Sequence, residues 1–241
     1  MVVPTLIDTY ALPPAPNICD QTLREVIATK TYSLAHVLME PGRSSLPHFH
    51  ESMVEIYLML SGTGILAVRD HEGEVHAGSF CVIPPSTVHQ LRNGPAPLEH
   101  LVITTPPFTP DDILMYEPVS PSRHIRHHAY QDLPVAMASD GATVYELLSA
   151  DEQRTLGLEL AIGVLPSGRK ATPHSHLFTE ELYYVLSGEG RAHLDGAAHA
   201  IRPGTAILLP AGVVHGLESF DEPLRVLCVS VPPYSNNDFL V

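Results

Sequence analysis

Apolar residues along the chain fall in short runs broken by glycine and proline. TYSLAHVLME, VEIYLMLSGTGILAV, HAGSFCVIPP and LEHLVITT occupy the first half, and LGLELAIGVLP, EELYYVLSGEGRAHL, GTAILLPAG and LRVLCVSVPP the second. Runs of this kind, bounded by turn residues, predict β-strands. Helical periodicity is weak throughout. The one exception is TPDDILMYE at 109–117, where Thr or Asp would cap a short helix. Many short strands at regular spacing predict an all-β sandwich or barrel.

The strand pattern occurs twice. His48, His50 and Glu55 recur as His174, His176 and Glu181, each pair offset by 126 (174 against 48, 181 against 55). The same offset carries Gly42 to Gly168, Gly62 to Gly188, Gly78 to Gly204, Pro84 to Pro210 and His89 to His215, with no gap from about residue 32 to 112. Roughly a quarter to a third of those positions are identical, so the chain holds two copies of one fold. The predicted division is a proline-rich arm at 1–19, a first barrel at 20–117, a linker or crossover at 118–139 and a second barrel at 140–241. SRHIRHHAY at 122–130, rich in histidine and arginine, reads as a solvated part of that linker, with a lid or partner contact as the alternative.

The repeated polar stretches carry candidate chemistry. On a strand, positions two apart share a face, so His48 and His50 point together. An unbroken strand would send Glu55 to the opposite face, so Glu55 joins them only if ESMV turns the chain. His89 follows a Pro-Pro-Ser turn and must arrive from another strand. Three imidazoles and a carboxylate converging in this way suit a divalent transition metal.

The spacing G-x5-H-x-H-x4-E-x6-G at Gly42–Gly62 and again at Gly168–Gly188 matches the first signature of the cupin superfamily. Gly78, Pro84, Ser86, His89 and Asn93 resemble its second signature, with serine where the family usually has glycine. Gly204, Pro210, Gly212 and His215 repeat it, with Ser219 where asparagine is frequent. The chain thus resembles a bicupin. That resemblance implies two tandem jelly-roll β-barrels packed about a pseudo-twofold, with one divalent metal per barrel (Fe, Mn, Ni or Zn). It implies His48, His50, Glu55 and His89 as one ligand set, and His174, His176, Glu181 and His215 as the other. Glu180 competes with Glu181, and the offset of 126 favours Glu181. Association into a homodimer is implied by the resemblance alone.

Composition narrows the partners. The formal net charge of −14 argues against nucleic acid and anionic membrane surfaces. No stretch is long and apolar enough to span a membrane, and the N-terminus lacks the pattern of a secretory signal. Cys19, Cys81 and Cys228 have no motif spacing and read as buried reduced thiols, which places the chain in the cytoplasm. The expected partner is a small molecule. Tyr57, Met59 and Tyr183 share a face with the carboxylate ligands and are candidates for substrate contact. Arg191 and His193 stand where the first copy has Ile65 and Ala67; only one of the pair is expected to point inward, and either would make the second pocket more polar and basic. By analogy with bicupin quercetinases, the first expectation is a dioxygenase-type oxidoreductase acting on a small enol, catechol-like or carboxylate substrate. The alternatives are an isomerase, hydrolase or decarboxylase using the metal as a Lewis acid, and a non-catalytic binding cupin.

Overall fold

The computed structural model describes residues 3–19, 21–116, 123–124, 128–235 and 237–241. Residues 122 and 125–127 of the histidine-rich stretch 122–130 lie outside the described residues. Contacts divide the chain into two compact units, Ala11–Asp132 and Leu133–Val241, the second also taking in Met1–Tyr10.

In the first unit, one sheet runs in the order His128–Ala129, Ser79–Ile83, Val54–Ser61, Leu98–Thr105, Ser33–Met39 and Thr22–Ala28. The other runs Ile113–Met115, His48–His50, His89–Asn93, Thr63–Val68 and His71–His76, with residues 123–124 at its edge. The interior is built by alternation. Tyr57 and Met59 from one strand, Val37 and Met39 from a second and Leu98 from a third form a common buried cluster with Leu66, Val75, Ile83 and Leu91.

The second unit repeats the plan. Its large sheet runs Thr5–Asp8, Thr205–Leu209, Glu180–Ser187, Leu224–Val231, Glu159–Leu165, Thr143–Glu146 and Val135–Met137. Ala197–Ile201, Gly190–Leu194 and His215–Ser219 form the facing sheet, and Ser175–His176 pairs with Phe239–Leu240. Both units are jelly-roll β-barrels. The N-terminal segment contributes an edge strand to the second barrel: Thr5 to Asp8 pair with Leu208 to Thr205, and Asp8 Oδ2 meets Arg202 Nη2 at 2.8 Å.

Two local elements depart from the sequence reading. The segment predicted to open a short helix at 109–117 makes a single 3-10 turn, Pro110–Asp112, and then the strand Ile113–Met115. Thr109 makes no side-chain cap, and the chain extends because it pairs with His48–His50. The one α-helix among the described residues is Ala150–Leu156, closed by a Ser149/Glu152 capping box and by Gly157 in the left-handed region. Among the described residues, no helix is long and apolar enough to cross a membrane. The three cysteines are free but only part-buried.

Candidate metal centres

The strand His48–His50 ends at the second histidine, residues 51–53 turn, and a new strand begins at Val54. This turn brings Glu55 back to the histidine face, and LFT at 177–179 does the same for Glu181. A carboxylate stabilises each turn. Asp112 accepts hydrogen bonds from the Ser52 and Met53 amides at 3.0 and 3.1 Å, and Asp238 accepts from those of Phe178 and Thr179 at 2.9 and 3.0 Å. Asp112 and Asp238 are themselves related by the offset of 126 and were not singled out from the sequence. Extending the repeat to its last identical acid would have found them.

His89 and His215 arrive on adjacent strands after tight turns. The Ser86 amide donates to His50 O at 2.6 Å, as that of Gly212 does to His176 O at 2.7 Å. Ser86 adopts φ +58° where Gly212 has +87°, so the serine keeps the turn at the cost of a left-handed backbone.

The two donor sets have matching geometry. Ring centroids of His48 and His50 lie 5.1 Å apart, those of His48 and His89 4.3 Å, and those of His50 and His89 5.6 Å. The corresponding separations in the second barrel are 5.2, 4.3 and 5.7 Å. In each set one ligand atom from every residue lies within 4.8 Å of the others, and all four residues are buried. Glu180 is excluded from the set, and Glu181 is in it.

Hydrogen bonding fixes the tautomers. Nδ1 of His48, His50 and His89 lies 2.7, 3.2 and 3.0 Å from the carbonyls of Leu46, Asp112 and Thr87. A carbonyl only accepts, so each Nδ1 carries the proton and Nε2 presents its lone pair to the centre. His174 and His215 do the same through Thr172 O and Val213 O, at 3.0 and 2.9 Å. His176 differs, with Nδ1 facing the Asp238 carboxylate at 3.7 Å.

The residues fit a metal by a second criterion. His89 Nε2 and Glu55 Oε2 are 2.7 Å apart and buried, yet neither has a hydrogen-bond partner, and His50 Nε2 and His176 Nε2 also lack one. Buried polar atoms left in this state are costly unless a cation meets them. Burial opposes ionisation of Glu55, but His89 and His50 outweigh it and hold the carboxyl well below its usual range. Glu181 is held down in the same way, by His176 and His215 against burial. Burial, reinforced by His89, lowers the His48 pKa to about 4, which favours the unprotonated ligand form. Three nitrogens and one carboxylate oxygen suit a divalent transition metal, and each barrel carries one such His3Glu site.

The barrels differ around these sites. In the second, a cavity of about 170 Å³ reaches His174, His176 and Glu181. Its walls carry Ala161, Gly163, Val226 and Cys228, and Asp140, Glu146 and Glu159. Tyr183 also lines it and donates its hydroxyl to Glu181 Oε2 at 3.0 Å, 3.3 Å from His215 Nε2. Phe239 stacks on His174 with centroids 4.5 Å apart. The registers Gly163↔Val226↔Val185 and Val37↔His100↔Met59 occupy equivalent rows of the two barrels. The first barrel therefore fills with larger side chains the space that Gly163 and Val226 leave open.

Tyr57 is buried near His89 and His100, and Met59 belongs to the core cluster. Arg191 and His193, expected to line the second pocket, are a correction. Gly190, Ala192 and Leu194 take the buried face of their strand, so the two basic residues point out. His193 pairs with Glu218 at 2.9 Å, and the Arg191 guanidinium lies 4.8 Å over the Phe220 ring.

A family model described as the cupin domain matches residues 35–104 and again 161–230. The chain belongs to the cupin family. This bicupin is 34% identical over 110 residues to an uncharacterized protein of Methanocaldococcus jannaschii, the match covering 45% of the chain and 88% of that protein. It is 33% identical over 105 residues to the L-ectoine synthase of Hahella chejuensis, covering 42% of the chain and 74% of that protein. Among solved structures, the formate complex of Lactobacillus farciminis oxalate decarboxylase matches 95% of the bicupin and 87% of that chain with a TM-score of 0.74 at 15% identity, a likeness of fold.

Proposed function

We propose that this bicupin is a metal-dependent enzyme whose reaction takes place in the second barrel on a small carbonyl or carboxylate compound. The reading rests on one observation, the cavity that opens directly onto His174, His176 and Glu181. When bound, a divalent metal supplies Lewis acidity at that donor set. The chain's own residues do the rest. The His174 and His215 imidazoles are held as Nε2 ligands by the Thr172 and Val213 carbonyls. Burial and the neighbouring Glu181 push the Tyr183 phenol well above its usual pKa, so it acts as a hydroxyl donor and not as a base. Burial, with Glu181, likewise keeps the Cys228 thiol neutral, so it does not serve as a nucleophile. Ala161, Gly163, Val226 and Cys228 give the cavity an apolar side.

Isomerase, hydrolase or decarboxylase chemistry is favoured over the dioxygenase first expected from the sequence. The support is similarity: the related proteins are named a synthase and a decarboxylase. In the first barrel Val37, His100 and Met59 occupy the row that Gly163 and Val226 leave open, and its cavity reaches His89 alone among the donors, so that barrel holds its metal as a structural or auxiliary site. The test begins with metal analysis of protein purified without added metal, expected to give two ions per chain and one in either His48→Ala or His174→Ala. Turnover of a carbonyl and carboxylate panel should then disappear in His174→Ala and persist in His48→Ala. Stoichiometric oxygen uptake with an enol or catechol would return the assignment to a dioxygenase.

A further inference from the structure

The row of side chains nearest the second donor set points to the charge of the substrate. Glu159, Ser230 and Glu181 are direct cross-strand partners on three neighbouring strands, Glu159↔Ser230↔Glu181. Partners in such a row share a face, so Glu159 stands on the inner face about 10 Å, two strand spacings, from the ligand carboxylate. Ser230 links the row by donating to Glu181 Oε1 at 3.2 Å. Glu159 lines the cavity, is half-buried, and accepts the Tyr234 amide at 2.8 Å. No cation pairs with it among the described residues. Asp140 and Glu146 line the same cavity, and no lysine or arginine does. The ligand-binding character of the space has separate support: His176, 3% exposed, lines it, and its Nε2 has no hydrogen-bond partner and only the Glu181 carboxylate nearby, at 3.4 Å.

The equivalent row of the first barrel is Ser33↔Thr104↔Glu55, so the second copy alone carries an acid at this place. There the Ser33 and Thr104 hydroxyls bond each other at 2.7 Å, closing the row with neutral groups. A half-buried carboxylate facing a small cavity with no cation is unfavourable unless a ligand supplies the charge. A dicarboxylate would place its far anion against Glu159, where like charges in a low-dielectric space repel strongly.

We propose that the second cavity selects a small zwitterion: a carboxylate or carbonyl end that meets the metal donor set, and a protonated amino or guanidino group that pairs with Glu159. This rests on the assignment of the second barrel as the reactive site. Three probes sharing a carboxylate end separate the charge states: 4-aminobutyrate, 4-hydroxybutyrate and succinate, titrated calorimetrically into the metal-loaded full chain. The amine should bind at least about tenfold more tightly than succinate, with the alcohol between. Glu159→Gln should remove that preference, and Glu159→Ser, which copies the first barrel, should do the same. Metal content is measured on every variant. Succinate binding as tightly as the amine, an unchanged preference in both variants, or no binding of any probe to metal-loaded protein would overturn the inference while leaving the metal assignment standing. A second barrel that takes up no metal would instead overturn the assignment of the reactive site.

Discussion

His100 offers the sharpest quantitative test of the interior. It sits in the first barrel where the second has Val226, 3% exposed, with Nδ1 unpartnered and its ring 5.2 Å from that of Tyr57. Burial lowers its pKa from 6.5 to about 4, against an opposing pull from Glu55. The unfolded chain keeps the ordinary value, so between pH 6.5 and 4 it binds the proton that the folded chain refuses. Stability is therefore intact above pH 6.5 and falls as the pH drops to about 4, by about 3 kcal/mol from this one side chain. The perturbation is His100→Phe, similar in ring size and unable to titrate. Denaturant unfolding of wild type and variant is compared at pH 7 and pH 4. Loss of metal and titration of other groups at low pH affect both proteins and cancel in the difference. The variant should be up to about 2 kcal/mol less stable at pH 7, from altered packing alone, and should recover about 3 kcal/mol relative to wild type at pH 4. Equal pH dependence of the two proteins would refute the claim that His100 is held neutral by burial.

Other expectations follow from single contacts. Asp238→Ala removes the acceptor of two turn amides beside His176 and should weaken metal binding at the second site about 10- to 100-fold, read by competition with a chelator, with Asp112→Ala doing the same at the first. Ser86→Gly relieves a left-handed serine and should leave stability unchanged or raise it by up to about 1 kcal/mol, whereas Gly212→Ala should lose about 1 kcal/mol by thermal unfolding. Gly163→Val copies Val37. A Cβ at Gly163 would lie 3.4 Å from Val226 Cγ2 and 3.6 Å from Cys228 Sγ, so the fold should accept it while the added methyls close the cavity. Metal content should stay at the wild-type value, with ligand binding in the second barrel lost in calorimetry.

Much of the site was legible because its signals are local. HxH on a strand, a turn before the glutamate and a histidine after Pro-Pro-Ser each have a short-range physical meaning, and the offset of 126 made each one count twice. The Ser149-x-x-Glu152 box and Gly157 are equally local, yet the sequence reading, which looks for periodicity, passes over the helix at Ala150–Leu156 that they mark. Ile113–Met115 was harder, since it extends only through pairing with His48–His50. Arg191 and His193 show the limit of strand parity. The expectation that only one of them could face inward fails because residues two apart share a face, and the burial of Ala192 shows that both point out.

What distinguishes the copies is written in positions with no motif. Glu159 against Ser33, Gly163 against Val37 and Val226 against His100 look like ordinary repeat divergence along the chain. The sheet register assembles them. It sets Glu159 beside Ser230 and Glu181, and Gly163 beside Val226 and Val185, so that three scattered substitutions become one acidic, open face of a barrel. Both donor sets keep the same spacing to within about 0.1 Å between ring centres. Metal binding alone therefore cannot account for the differences between the barrels. Those differences lie one and two strands away from the strand that carries the ligand glutamate, where they alter the volume and charge offered to a bound molecule while leaving the ligands in place.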